Sequence, residues 1–111
     1  MIATAQDLAV WFDGHKGQVL TIDKEEGTDK DRVRLKLERV ERIDRESVAD
    51  AYTPRRALRL VGSGTIHNPE DDPVELPDDG YEIVLDGLVS HTESAGGLTI
   101  KTMRATYRIQ A

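Results

Sequence analysis

Apolar and polar residues alternate along much of this chain, and the breaks in that alternation are as informative as the runs. The clearest run is Ala57–Ile66, ALRLVGSGTI. Leu58, Leu60 and Ile66 share one face at period 2, while Arg59, Ser63 and Thr65 point the other way with Val61 among them. This is the pattern of a half-buried antiparallel strand. Gly62 and Gly64 interrupt the apolar face. Glycine inside a strand marks a bulge or the close approach of another group. The pair therefore predicts a notch in the inner row, occupied by a side chain from elsewhere or by a ligand.

Thr4–Asp13 is the one helical segment. Leu8, Trp11 and Phe12 fall at i, i+3 and i+4 and make an apolar face. Thr4 stands as N-cap with Asp7 as the short acidic partner of a capping box, and Gly14 as a left-handed terminator. A helix of about ten residues does not hold in isolation, so it depends on packing. Trp11 is the first candidate to fill the notch at Gly62 and Gly64.

Gly17–Asp23 reads as a short strand with an ambiguous buried face, and Lys24–Asp31 as a charged turn around Gly27. Arg32–Asp44 supports two readings. Val33, Leu35 and Leu37 alternate with Arg32, Arg34 and Lys36 as in a strand. Val33, Leu37 and Val40 also fit i, i+4, i+7, and Glu38–Arg42 and Glu41–Arg45 have the spacing of helical ion pairs. The strand is favoured, because Leu35 would lie on the polar side of a helix. The step from Leu37 to Val40 then predicts a bulge near Glu38–Arg39.

Asp44–Tyr52 has room for a helical turn, and Thr53-Pro54 stops any ladder. His67–Gly80 contains Pro69, Pro73 and Pro77 and six acidic residues, and reads as a solvated loop. Tyr81–Ser90 alternates again, with Tyr81, Ile83, Leu85, Gly87 and Val89 on one face. A turn at Ser94–Gly97 leads into Leu98–Ile109. There Leu98 and Ile100 occupy one phase and Met103, Ala105, Tyr107 and Ile109 the other, which predicts a second bulge near Lys101–Thr102. These elements make a single α+β domain over residues 1–111: one N-terminal helix packed on a curved antiparallel sheet of about five strands. A small β-barrel is the alternative.

The chain has 111 residues, 38% of them hydrophobic and 32% charged, enough for one core. A net charge of −6 argues against general affinity for phosphate backbones or anionic lipid. Cysteine is absent, which removes disulfide and thiolate chemistry and fits a cytoplasmic location. The first residues lack the basic segment of a signal peptide. No apolar run reaches the roughly 20 residues that cross a bilayer, so no membrane partner is expected.

Candidate chemistry is sparse. Gly62-Ser63-Gly64 is not a nucleophile elbow, which needs G-x-S-x-G at a strand-to-helix turn. Neither a phosphate loop nor a dinucleotide fingerprint occurs. His15, His67 and His91 lack metal-ligand spacing. His67 beside Glu70, Asp71 and Asp72 is at most a weak cation candidate, and this acidic run lacks the register of an EF-hand. Glu82 and Asp86 stand too far apart along a strand to act as a dyad. No catalytic residue, metal or cofactor is assigned.

Two surfaces remain. One is a pocket on the concave face, lined by Trp11, Leu58, Leu60, Gly62, Gly64, Tyr81 and Ile83. The other is a basic face of Arg32, Arg34, Lys36, Arg59, Lys101 and Arg104, suited to phosphate contact, although cross-strand pairing with Glu38, Glu82 or Asp86 explains the same residues. The expected role is a non-enzymatic protein-interaction module acting through its sheet surface or edge. Its partner is an unidentified protein or a second copy. Carriage of a small apolar ligand and contact with nucleic acid are the alternatives, the latter not expected in so acidic a chain.

Overall fold

A computed structural model describes residues 5–44, 56–67, 72–76 and 79–111. Its central unit is a long hairpin of β1 (Val19–Glu26) and β2 (Asp29–Asp44). Glu26 pairs with Asp29, leaving Gly27 and Thr28 as a two-residue loop. Gly27 supplies the positive φ, 61°, that such tight hairpins need. The register that follows places Leu20 and Ile22 beside Leu35 and Val33, and all four are fully buried.

Strand β3 (Arg56–His67) pairs with the other side of β2, with a register shift between Leu37 and Arg39. Glu38 is the extra residue, at the position where the alternation breaks. Beyond it Arg42 faces the same side as Leu58 and donates to Gln6 Oε1 at 2.7 Å. That bond ties β2 to helix α1 (Ala5–Asp13), which packs on β2 and β3. Leu8, Ala9 and Phe12 of α1 are buried in one cluster with Leu35, Leu37, Leu58, Leu60 and Ile83. The short helix thus gains from the sheet the stability its length denies it.

The remaining strands are β4 (Val74–Glu75), β5 (Gly80–Val84), β6 (Leu88–Ser94), β7 (Gly97–Thr102) and β8 (Thr106–Gln110). Among the described residues the antiparallel sheet has eight strands and runs β4-β3-β2-β1-β8-β7-β6, with β5 also on β3. One end strand, β5, is followed in the chain by the opposite end strand, β6, after Leu85–Gly87 alone. A flat sheet would hold these edges about 29 Å apart, at about 4.8 Å per strand. The four steps from Val84 to Leu88 reach at most about 14 Å. The sheet must therefore curl.

Gly62 and Gly64 make the curl possible. A Cβ on Gly62 would collide with the carbonyl of Lys36, and one on Gly64 with the carbonyl of Arg34. The notch in the inner row is closed by the backbone of β2, and Trp11 does not fill it. Trp11 is half-buried against the core and stacks on His15, ring centroids 3.9 Å apart. The His15 Nδ1 donates to the Trp11 carbonyl at 2.7 Å.

Where the edges meet, the corner is bonded to both. Leu85 N–H donates to Arg56 O at 2.9 Å, and Met103 N–H to Gly87 O at 2.9 Å. Arg56 N–H donates to the Asp86 carboxylate at 2.7 Å. Gly87 turns the chain with φ 72°. Inside, Val84 N–H donates to the Tyr107 hydroxyl at 3.4 Å. No ladder joins β5 to β6, so the sheet is strongly curved but unclosed, and the barrel alternative does not form.

Several sequence expectations are corrected. Among the described residues eight strands form rather than about five, because two predicted strands each divide in two and β4 arises within the predicted loop. Lys24–Asp31 is strand apart from Gly27-Thr28. Tyr81–Ser90 breaks at the corner, after which Leu88 is half-buried and Val89 is 64% exposed. Leu98–Ile109 changes phase at a turn rather than a bulge. There Thr102 Oγ1 accepts from Arg104 N–H at 3.2 Å and Ala105 N–H at 3.1 Å. The second register shift lies instead in β6, between Leu88 and Ser90. Gly14 does not take the left-handed conformation; Gly17 does, with φ 85°. Within His67–Gly80, β4 pairs with β3 and Leu76 is buried, so that stretch is not wholly a solvated loop. Thr4, expected as N-cap, and all of the turn expected in Asp44–Tyr52 except Asp44 lie outside the described residues. No helix among the described residues is long and apolar enough to cross a membrane.

Two outcomes follow. Gly62→Ala and Gly64→Ala should each lower stability by about 1–3 kcal/mol, read from the urea midpoint, while Ser63→Ala, exposed between them, stays within about 0.5 kcal/mol. Equal midpoints for the three variants would remove the close-approach explanation. Burial, reinforced by Tyr107, Asp31 and Glu26, raises the Tyr81 phenol above its ordinary range. Burial also raises Tyr107, against the opposing pull of Lys24 and the bond from Val84. The unfolded phenols ionise first, near pH 10. Stability is therefore full below about pH 10 and falls as pH rises from there through the folded values. Tyr81→Phe should flatten that alkaline fall; an unchanged slope would contradict the desolvation of Tyr81.

Candidate functional site

The tight turn at Gly27-Thr28 fixes which outward residues of the β1–β2 hairpin stand side by side. Arg32 pairs with Asp23 and Lys30 with Glu25. Strand β8 then adds Arg108 beside Asp23, and β3 adds His67 beside Arg32. One row on the outer face thus reads His67, Arg32, Asp23, Arg108. Around it lies a depression of about 410 Å³ lined by Asp23, Glu25, Lys30, Arg32, His67 and Arg108, with Lys24 and Asp31.

The charges within this saddle are partly satisfied. Arg32 Nε donates to Asp23 Oδ1 at 2.7 Å and Nη2 to Oδ2 at 3.3 Å, a fork that matches the planar carboxylate. This hydrogen bond, and then the charge of Asp23, raise the Arg32 pKa. Arg108 Nη1 lies 3.2 Å from Glu25 Oε1. His67 Nδ1 is enclosed and has no hydrogen-bond partner among the described residues. The saddle is a surface of alternating charge, with His67 at its β3 side.

Residues singled out from sequence are distributed differently. Leu58, Leu60 and Ile83 are fully buried core, with Tyr81 packed against it. Gly62 and Gly64 face the β2 backbone, and Trp11 belongs to the helix end. The six basic residues do not make one stripe. Arg32, Arg34 and Lys36 share the outer side of β2. Arg59 lies beyond the bulge, 3.9 Å from Glu41. Lys101 is on β7, separated from β2 by β8 and β1. Arg104 reaches from the β7–β8 turn to Glu26 at 3.9 Å. Among the described residues, no group of three or more His, Asp or Glu could hold a metal ion.

Sequence reasoning missed Asp23, Glu25, Lys30 and Arg108. The signal was present in part. Once Gly27-Thr28 is taken as a two-residue loop, Asp23 and Glu25 fall opposite Arg32 and Lys30. Arg108 needed the β1–β8 pairing, which no local pattern reveals.

The whole chain, residues 1–111, matches the model of the family described as YmzB-like protein. It is 36% identical over 115 residues to the protein of Bacillus subtilis (strain 168) described as uncharacterized protein YmzB. That alignment covers 98% of this chain and 96% of the relative. No solved structure matches it. With its full length matched, this chain belongs to the YmzB-like family.

Proposed function

We propose that this domain is a protein-binding module that takes a segment of mixed charge into the saddle on the outer face of β1, β2 and β8. The convergence of Asp23, Glu25, Lys30, Arg32, His67 and Arg108 around one open depression carries this reading. Paired surface charges cost little to rearrange, since each exposed pair is worth about 0–1 kcal/mol. A partner carrying both signs can therefore exchange its own groups for the internal ones. Complementary charge of this kind sets register and speeds encounter more than it adds raw affinity.

The other readings draw less support. The apolar side chains suggested for a carrier pocket are used in the core. Arg32, Arg59 and Arg104 each have an acidic neighbour, which reduces what a phosphate backbone would meet.

A photo-crosslinking residue at position 30 should capture a protein in extracts of the source organism. Arg108→Ala should weaken capture about tenfold, equivalent to about 1.4 kcal/mol, and raised salt should weaken it further. Thermal stability of the variant should change by no more than about 1 kcal/mol. Capture that is indifferent to Arg108→Ala and to salt would sink this reading, as would the absence of any adduct at position 30.

A further inference from the structure

The curled sheet has two edges, and they are not alike. At one end the outer strands β4 and β5 have two and five residues, and Pro69, Pro73 and Pro77 occur in the stretch leading to β5. Short strands and prolines are ways in which proteins blunt an edge. At the other end β6 has seven residues, LVSHTES, with no proline, no lysine or arginine, and one formal charge, Glu93. Its bulge at Val89 protects only the start. Among the described residues no strand pairs with the outer side of Ser90–Ser94.

The register of the β6–β7 hairpin says which backbone groups are free. Ser94 pairs with Gly97 across Ala95-Gly96, and the closing pair of a two-residue hairpin exchanges both of its hydrogen bonds. Ser94, Thr92 and Ser90 therefore direct their backbone groups toward β7, and His91 and Glu93 direct theirs outward. A strand added to this edge must bond to His91 and Glu93.

We propose that the occupant is a second copy of this chain, its β6 antiparallel to the first, with His91 opposite Glu93 of the other copy and Thr92 opposite Thr92. Two-fold pairing permits few registers. Centring on His91 sets two imidazoles opposite each other, and centring on Glu93 sets two carboxylates opposite each other, which is unfavourable. Centring on Thr92 brings all four outward-directed residues into hydrogen-bonded pairs and matches imidazole with carboxylate twice. The His91 side chain shares the inner face with Ile100 and is half-buried at the sheet edge. Glu93 is exposed and its carboxylate is an acceptor for a ring N–H. The pairing uses none of the saddle residues and stands or falls independently of the proposed partner binding.

The register gives a direct test, because the chain has no cysteine. Thr92 and its counterpart form a non-hydrogen-bonded pair, with Cα atoms about 4.5 Å apart, within disulfide reach. Ser90 and its counterpart lie about 13 Å apart along the paired strands. Under mild oxidation Thr92→Cys should form covalent dimer at least tenfold faster than Ser90→Cys. Adding Glu93→Pro to Thr92→Cys should reduce that rate to the Ser90→Cys level, because it deletes an outward N–H and leaves the β7 ladder intact. His91→Pro serves in its place if the thermal unfolding of Glu93→Pro shows a fold defect. Equal rates for Thr92→Cys and Ser90→Cys, or a Thr92→Cys rate untouched by the proline, would overturn the proposal.

Discussion

Everything in this molecule depends on how closely β3 can lie over β2. At Gly62 and Gly64 the carbonyls of Lys36 and Arg34 occupy the space where side chains would otherwise stand. With the adjacent bulge at Glu38, this lets the sheet bend sharply toward its apolar side, the use made of glycines and bulges at the corners of curved sheets. The bend brings the two ends of the strand order within reach of Leu85–Gly87. That corner then fastens to Arg56 on one side and Met103 on the other. Curvature comes first, and the seam is its result.

The curl also divides the chemistry. The inner surface shrinks as the sheet bends, and Leu20, Ile22, Val33, Leu35, Leu58, Leu60, Ile83, Ile100 and Ile109 are buried there with Leu8 and Phe12 of α1. The outer surface spreads, and Asp23, Glu25, Lys30, Arg32, Arg34 and Lys36 occupy it. Arg32–Asp23 and Arg108–Glu25 hold one another there without being removed from water. A protein built this way has its chemically distinctive groups on the convex side, where the depression lies.

Much of the fold was legible in sequence, and the failures have identifiable causes. Strand β2 and its bulge could be read because Val33, Leu35 and Leu37 keep period 2 and Leu37–Val40 breaks it. The same kind of phase break at Lys101–Met103 has two physical origins, a bulge or a turn. The residues there gave no glycine or proline to decide between them; the Thr102 hydroxyl makes the turn. The corner at Leu85–Gly87 was hidden because Gly87 kept the alternation of Tyr81, Ile83 and Leu85 apparently unbroken. Gly62 and Gly64 announced a close approach but not what approaches, since that depends on the pairing of β2 with β3. Of the saddle, the alternation marks only Arg32 as a site residue, and the prolines after His67 make that residue look like the start of a loop.

Strand β8 sits between β1 and β7, bonded on both sides, although it follows all the others in sequence. Without Thr106–Gln110, β1–β2–β3–β5 and β6–β7 would share no ladder among the described residues. Strand β8 joins the two leaves, its Ile109 standing beside Ile22 on one side and Leu98 on the other. One short strand thus holds the two halves of the sheet in a single core.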